Sequence, residues 1–135
     1  MNGTSDWIKA KLTEEGWEFD KALSSTGVLT NNTDACVTDF IPLQNFSSRD
    51  GHQLTICTNI YNLIVCFYDE NKSVKNYYSI QNIKTEIPSS AIYQNSYIRL
   101  TLNPNQIAES YIKDNTSNEY LWEGSKYLFS LCDGV

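Results

Sequence analysis

The sequence predicts a single α+β domain over residues 1–135, in which an antiparallel sheet of about five or six strands packs with an N-terminal helix and one or more C-terminal helices. Three features support this class: a strongly marked β-hairpin over residues 63–80, a helical apolar face near the N-terminus, and a helix-start signal at Asn103-Pro104. A chain of 135 residues is long enough to bury a hydrophobic core without a metal or a disulfide.

The first predicted element is a helix over residues 6–15. Ser5 is suited to cap this helix, and Gly16 stands where a helix-terminating glycine belongs. The apolar side chains that share one helical face are those of Trp7, Ile8 and Leu12. Residues 17–20 alternate like a strand, and a helix that continues to Leu23 is the alternative interpretation.

Turn-forming and strand-forming segments then alternate along the chain. Residues 24–34 are rich in Ser, Thr, Asn and Gly and predict a loop, whereas residues 36–43 predict a strand that ends near its proline. Residues 47–51 predict a turn, and residues 53–61 predict the next strand.

The hairpin is the best-marked element of the sequence. Its strands are predicted over residues 63–68 and 74–80, and residues 69–72 form the turn between them. The second strand alternates between apolar and polar positions, so one of its faces is expected to be buried and the other exposed. The residues on the exposed face are Lys75, Tyr77 and Ser79.

The C-terminal third is predicted to contain strands and at least one helix. Residues 83–87 predict an edge segment, and residues 97–102 predict a strand. A helix is predicted to begin at Asn103-Pro104, since Asn caps helices and Pro suits their first position. The apolar residues that recur at helical spacing after it are Ile107, Ala108, Tyr111 and Ile112. Residues 120–132 fit either a helix or a strand.

No motif in the sequence identifies a chemical reaction. His52 is the only histidine, which excludes sites that need two histidine ligands; it is either a lone general base or a surface residue in a turn, and we favour the turn. The acidic pairs at positions 14/15 and 69/70 fit solvated surface positions better than paired catalytic carboxylates. We therefore expect no enzymatic activity, no cofactor and no bound metal.

Cysteine usage and the N-terminus predict where the protein works. The four cysteines, at positions 36, 57, 66 and 132, form no CxxC pair, and the first three lie in apolar segments, so we expect reduced thiols in the core. No apolar segment reaches the ~18 residues of a membrane-spanning helix, and the N-terminus lacks the pattern of a signal peptide. These features predict a cytoplasmic location, with a leader removed before Met1 as the alternative.

Acidic residues are concentrated towards both chain ends. The net charge is −6; residues 1–40 carry seven acidic and three basic residues, and residues 114–135 carry four and one. If the chain ends meet in space, these carboxylates would form one negative face that attracts a basic protein. The candidate contact residues are Glu14, Glu15, Glu18, Asp20, Asp34, Asp39, Glu119 and Glu123, with Tyr77 as an exposed aromatic anchor.

The sequence as a whole predicts a small acidic protein that neutralises a basic partner without chemistry. A bacterial immunity protein or antitoxin that blocks a nuclease toxin fits, because nucleases hold phosphates with Lys and Arg. We expect a monomer or weak homodimer that contacts neither nucleic acid nor membrane. Two alternatives remain: a homodimeric acidic secretion chaperone or assembly factor, and a small-ligand-binding module. The residues that would line the ligand pocket are Tyr61, Tyr68, Tyr78 and Trp122.

Overall fold

Antiparallel strands and two terminal helices make up the fold in the computed structural model, which describes residues 5–43, 51–88 and 95–132. The helices are α1 (Asp6–Glu14) and α2 (Gly124–Cys132). The strands are β1 (Glu18–Leu23), β2 (Leu29–Val37), β3 (Ile41–Pro42), β4 (Gln53–Cys57), β5 (Leu63–Tyr68), β6 (Val74–Ile80), β7 (Lys84–Pro88), β8 (Tyr97–Arg99), β9 (Thr101–Leu102), β10 (Tyr111–Asp114) and β11 (Tyr120–Glu123). The predicted α+β class is confirmed, but the expected five or six strands are too few for these eleven.

The strands form three open sheets whose neighbours all pair antiparallel, in the orders β1-β2-β9, β3-β8-β5-β6 and β11-β10-β4-β7. The first two sheets meet where β8 continues into β9. There the backbone N–H of Thr38 donates to the Leu100 carbonyl at 3.0 Å, and the Leu100 N–H donates to the Thr38 hydroxyl at 3.0 Å. These two bonds bridge the gap between the β2–β9 and β3–β8 pairings, so the segment before β3 is held against the sheet.

Helix α1 agrees with its prediction. Ser5 occupies the N-cap position, although its side chain makes no capping hydrogen bond, and Leu12 is fully buried. Gly16 has φ +101°, a conformation that side-chain-bearing residues rarely adopt, and it turns the chain towards β1. Because β1 begins at Glu18, the alternative helix that continues to Leu23 is wrong.

The predicted loop over residues 24–34 is wrong, because most of it belongs to strand β2. The strand pairs with β1 from Leu23 opposite Leu29 to Glu18 opposite Val37, and a short turn joins the two strands. Most polar residues of β2 are exposed. Thr30 and Asn31 lie opposite Ala22 and Lys21 of β1, whereas the backbone N–H of Asp34 donates to Oδ1 of Asn32 at 2.9 Å. The composition of residues 24–34 resembles that of a loop. The strand forms there because of its partner strand rather than because of local propensity.

The predicted helix after Asn103-Pro104 is also wrong. The chain instead makes a 3₁₀ turn at Ile107–Glu109 and enters β10, which pairs with β4 on one side and β11 on the other. The apolar residues at helical spacing are accounted for differently: Ile107 points inward from the turn, and Ile112 is buried by the alternation of β10. Tertiary pairing with two strands outweighs the local helix signal.

The remaining predictions need smaller corrections. The hairpin of β5 and β6 is confirmed, with Leu63 opposite Ile80. The ambiguous segment 120–132 contains both elements, β11 and then α2. A side chain at Gly124, where they meet, would overlap the Ile107 carbonyl oxygen. The predicted strand over 53–61 ends at Cys57, and the predicted turn over 47–51 lies outside the described residues except for its final glycine.

Three cysteines lie in the core as free thiols, as predicted. Cys36, Cys57 and Cys66 are all buried, whereas the side chain of Cys132 is outside the described set. The largest fully buried side chains around them are Trp17, Phe67, Leu12, Leu43, Leu54, Ile56, Ile80, Ile87, Ile98, Leu100 and Leu102. Buried thiols of this kind pack as small apolar groups.

Stability at alkaline pH is expected to report this burial. Burial raises the pKa of the Cys36 thiol from its ordinary value of 9.0 to about 12, against a smaller opposing effect of Lys9. Burial likewise raises the pKa of the Tyr68 hydroxyl from 10.0 to about 12. The unfolded chain ionises at the lower values, so this contribution to stability is complete below pH 9 and is lost as pH rises towards 12. Urea unfolding midpoints across this range measure the loss.

The variant Cys36→Ala serves as the control for this pH dependence. It removes one of the buried ionisable groups, so its unfolding midpoint should fall less steeply between pH 9 and 12 than that of the wild type. Equal slopes for the two proteins would show that the Cys36 thiol does not titrate differently in the folded and unfolded states.

Candidate functional site

A cleft of about 190 Å³ opens between the beginning of the β1–β2 hairpin and the C-terminal elements; we call it the aromatic cleft. Its lining comes from three parts of the chain that meet only in the folded protein: the residue before β1, the segment after β2 together with β3, and the β11–α2 unit. The lining residues are Trp17, Thr38, Asp39, Phe40, Ile41, Pro42, Trp122 and Tyr127.

Three aromatic rings contact one another in this cleft. The ring centroid of Trp17 lies 5.6 Å from that of Tyr127 and 6.5 Å from that of Trp122, and the last two are 6.4 Å apart. The interplanar angles of 33° to 42° are tilted rather than stacked. Trp17 is fully buried, whereas Trp122 and Tyr127 are half-buried. The rings therefore form an apolar wall in which Trp122 and Tyr127 remain partly accessible.

One acidic residue lines this wall, and a second acts on it electrostatically. Asp39 lines the cleft, and its carboxylate approaches the Gly16 backbone so closely that a Cβ at Gly16 would lie 2.7 Å from Asp39 Oδ1. Burial raises the pKa of the Tyr127 hydroxyl, a hydrogen bond with Trp17 lowers it, and the negative charges of Glu15 and Asp39 raise it. The cleft thus combines aromatic surface with negative charge.

A second, polar cleft of about 470 Å³ lies against the β1–β2 hairpin. It receives the carboxylates of Asp20 and Asp34, and Lys9 is its basic residue. Asp20 has φ +59°, at the register shift between Phe19 and Lys21 that interrupts the β1–β2 ladder. The lining residues are Lys9, Phe19, Asp20, Thr33, Asp34, Asn59, Ile60, Tyr61, Asn103, Pro104 and Asn105.

The structure distributes the predicted contact residues over several elements. Those of the N-terminal part all belong to α1, β1, β2 or the turns beside them; they are Glu14, Glu15, Glu18, Asp20, Asp34 and Asp39. Glu123 ends β11 and forms an ion pair of 3.0 Å with Lys126. Glu119 precedes β11, and Tyr77 lies on β6 opposite Cys66 with 49% of its surface exposed. Of the predicted contact residues, Asp39 lines the aromatic cleft, and Asp20 and Asp34 line the polar cleft. The others line neither cleft; they are Glu14, Glu15, Glu18, Glu119, Glu123 and Tyr77.

The four aromatic residues of the predicted ligand pocket do not line a common cleft among the described residues. Trp122 lines the aromatic cleft and Tyr61 the polar cleft. Tyr68 packs edge-on against Phe40 at 4.8 Å, and Tyr78 packs against Phe67 at 5.8 Å. Sequence reasoning missed Trp17 and Tyr127 as cleft residues; the signal was Gly16-Trp17 directly after a helix, which fixes a large ring beside a sharp turn.

His52 is not the simple surface turn residue that the sequence suggested. Its Nδ1 lies 2.6 Å from Oδ2 of Asp114, whose side chain is fully buried, while 32% of the His52 side chain is exposed. Asp114 also accepts hydrogen bonds from the backbone N–H groups of Thr116 at 2.9 Å and Ser117 at 3.3 Å. The pair ties the residue before β4 to the turn between β10 and β11.

Comparisons with protein-family models, curated proteins and solved structures find no match to this chain. Within residues 5–43, 51–88 and 95–132, neither helix has the length and hydropathy needed to cross a bilayer. In the same ranges, no three side chains of His, Cys, Asp or Glu are grouped so that they would hold a metal ion.

Gly16→Ala is expected to disturb the aromatic cleft. The new methyl group must displace the Asp39 carboxylate, and the alanine residue must adopt an unfavourable positive φ. The free energy of unfolding should therefore fall by more than about 1–2 kcal/mol. Gly51→Ala is the matched control, because Gly51 also has a positive φ, of +86°, but a Cβ there meets no atom of the described residues within 4 Å. Equal losses in the two variants, measured by urea unfolding, would mean that the Asp39 approach contributes nothing.

His52→Ala is expected to lower the free energy of unfolding by about 1–3 kcal/mol, because it removes a hydrogen bond to the buried Asp114 carboxylate. His52→Asn should lose less, since an Asn side-chain amide can place a donor close to the position of Nδ1. Thermal or urea unfolding of both variants measures the difference. If the alanine and asparagine variants are both as stable as the wild type, the pair does not stabilise the fold.

Proposed function

We propose that this protein is an acidic binding protein that neutralises a basic protein partner in the cytoplasm, as a bacterial immunity protein or antitoxin does with a nuclease toxin. One observation carries the proposal: three acidic residues line two clefts, and a fourth acts electrostatically on the first cleft. Asp39, with Glu15 nearby, belongs to the aromatic cleft, and Asp20 and Asp34 belong to the polar cleft.

The mechanism we propose is steric exclusion steered by charge. A nuclease holds the phosphates of its substrate with Lys and Arg side chains, and a compact acidic surface that covers them prevents substrate binding. Long-range attraction speeds the encounter of the two proteins, and the salt in solution weakens it. The accessible surface of the half-buried Trp122 and Tyr127 would supply the apolar contact that charges alone do not provide.

One structural feature favours the alternative of a homodimeric secretion chaperone or assembly factor. Among the described strands, β6 is the last of its sheet and carries the exposed Tyr77, so the edge that no described strand covers would accept an added strand from a client or a second copy. Sedimentation velocity separates the two proposals, since a tight homodimer favours the chaperone and a monomer favours the inhibitor.

Binding to a basic partner is expected to depend on salt and on the cleft carboxylates. The partner to test first is the protein encoded by the adjacent gene, with calorimetric affinity measured from low to high salt concentration. The double variant Glu15→Lys/Asp39→Lys should weaken binding by about tenfold or more, because it reverses the charge beside the aromatic cleft. Loss of partner inhibition in a nuclease assay should follow the loss of affinity.

Glu70→Lys is the control for this double variant. Glu70 is exposed in the turn between β5 and β6, outside both clefts, so its reversal changes net charge without changing the proposed contact surface. Two results would contradict the proposal: an affinity that does not change with salt concentration, or an affinity that falls as much in the Glu70 variant as in the double variant.

A further inference from the structure

We infer that the aromatic cleft binds a single arginine side chain, supplied by the basic partner. This inference rests on the proposed function and adds the chemical group that the site recognises. The cleft has a volume of about 190 Å³, below the roughly 300–1,000 Å³ of pockets that enclose whole cofactors or drug-sized ligands. A cleft of this size is suited to one inserted side chain.

The aromatic wall favours a cationic occupant. Rings of Trp and Tyr attract cations through their electron-rich faces, and Trp does so most strongly. Here Trp17, Trp122 and Tyr127 lie with centroids 5.6–6.5 Å apart. Phe40, which also lines the cleft, already contacts the guanidinium of Arg99 at 4.7 Å and the ammonium of Lys72 at 5.0 Å. Because Trp17 is fully buried, the inserted cation is assigned to the half-buried rings of Trp122 and Tyr127.

The charges around the cleft also favour a cation. None of the eight described residues that line it is basic, and Asp39 supplies a carboxylate within the wall, with Glu15 nearby. Arg99 lies behind this wall: its Nε donates to the Thr38 carbonyl at 2.7 Å, and it is almost fully buried. Arg99 and Lys72 both contact Phe40, but neither lines the cleft, so Asp39 is the one charged residue among the eight that line it. The bond of Arg99 to Thr38 also holds the segment that carries Asp39.

Arginine fits this combination better than lysine. A guanidinium is planar, so it stacks on aromatic rings while its N–H groups donate two parallel hydrogen bonds to one carboxylate. A lysine ammonium is more strongly hydrated and cannot make that paired contact. The arrangement of flat rings beside the Asp39 carboxylate therefore selects a guanidinium over an ammonium group.

Fluorescence of the cleft tryptophans tests this inference. In the full-length Trp7→Phe variant only Trp17 and Trp122 emit, and both line the cleft. We expect N-acetyl-arginine methylamide to change the emission saturably, with a dissociation constant on the order of 1 mM. The lysine analogue should bind more weakly. The citrulline analogue, which has the same shape without the charge, should not saturate. Equal binding of the arginine and citrulline analogues would overturn the inference.

Variants locate the bound guanidinium. Asp39→Asn in the Trp7→Phe background should weaken binding of the arginine analogue about tenfold, since it removes the charge of the carboxylate but keeps its shape. Glu70→Gln, outside the cleft, should leave binding unchanged. Tyr127→Leu should also weaken binding, so a folding defect in one variant does not decide the result, and urea unfolding midpoints verify that each variant is folded. Unchanged affinity in both the Asp39 and Tyr127 variants would overturn the inference.

The failure of this inference is distinguishable from the failure of the proposed function. If the arginine analogue does not bind but a basic partner still binds with a strong salt dependence, the cleft inference is wrong and the proposed function stands. If the analogue binds as expected but no basic protein is neutralised, the proposed function is wrong and the guanidinium site stands.

Discussion

The contact of Trp17 with Trp122 and Tyr127 is the interaction on which the rest of the candidate site depends. Trp17 lies directly after the first helix, whereas its two partners belong to the final strand and helix, so this contact joins the ends of the chain. Removal of a buried Trp side chain typically costs about 3–5 kcal/mol, a large share of the stability of a small domain. The same rings that close the core here form the wall of the aromatic cleft.

Backbone geometry then places charge beside these rings. The positive φ of Gly16 turns the chain after α1 and leaves space for the Asp39 carboxylate, which a side chain at that position would displace. Arg99 holds the segment around Asp39 from the opposite side, through its bond to the Thr38 carbonyl. A carboxylate held in this way is half-buried and is available to a ligand without a large rearrangement.

Local patterns predicted the elements whose formation depends on local sequence. The hairpin of β5 and β6 and the first helix follow from alternation, turn residues and the terminating Gly16. The predictions for the segments of β2 and β10 were wrong. The polar composition of β2 resembles that of a loop, and β10 forms by pairing with β4, which is distant in sequence. Local propensity does not contain that information.

The candidate site was predicted in part, for the same reason. Charge patterning singled out Glu15 and Asp39, because acidic residues are conspicuous in any sequence. In the sequence, Trp17 and Tyr127 are distinguished only as apolar positions, which are as typical of a core as of a cleft. Trp17 is indeed buried. Only the meeting of the two chain ends makes these rings part of a cleft, and a contact between such distant residues leaves no periodic trace in the sequence.

The most direct test of the shared surface is an NMR titration that follows the indole N–H signals of the three tryptophans. A short arginine-containing basic peptide, added to the wild-type protein, should shift the signals of Trp17 and Trp122. The signal of Trp7, which is half exposed and outside the cleft, should stay unchanged. We predict that raising the salt concentration reverses these shifts. Peptide binding that moves only the Trp7 signal, or none of the three, would contradict a surface built from cleft aromatics and carboxylates.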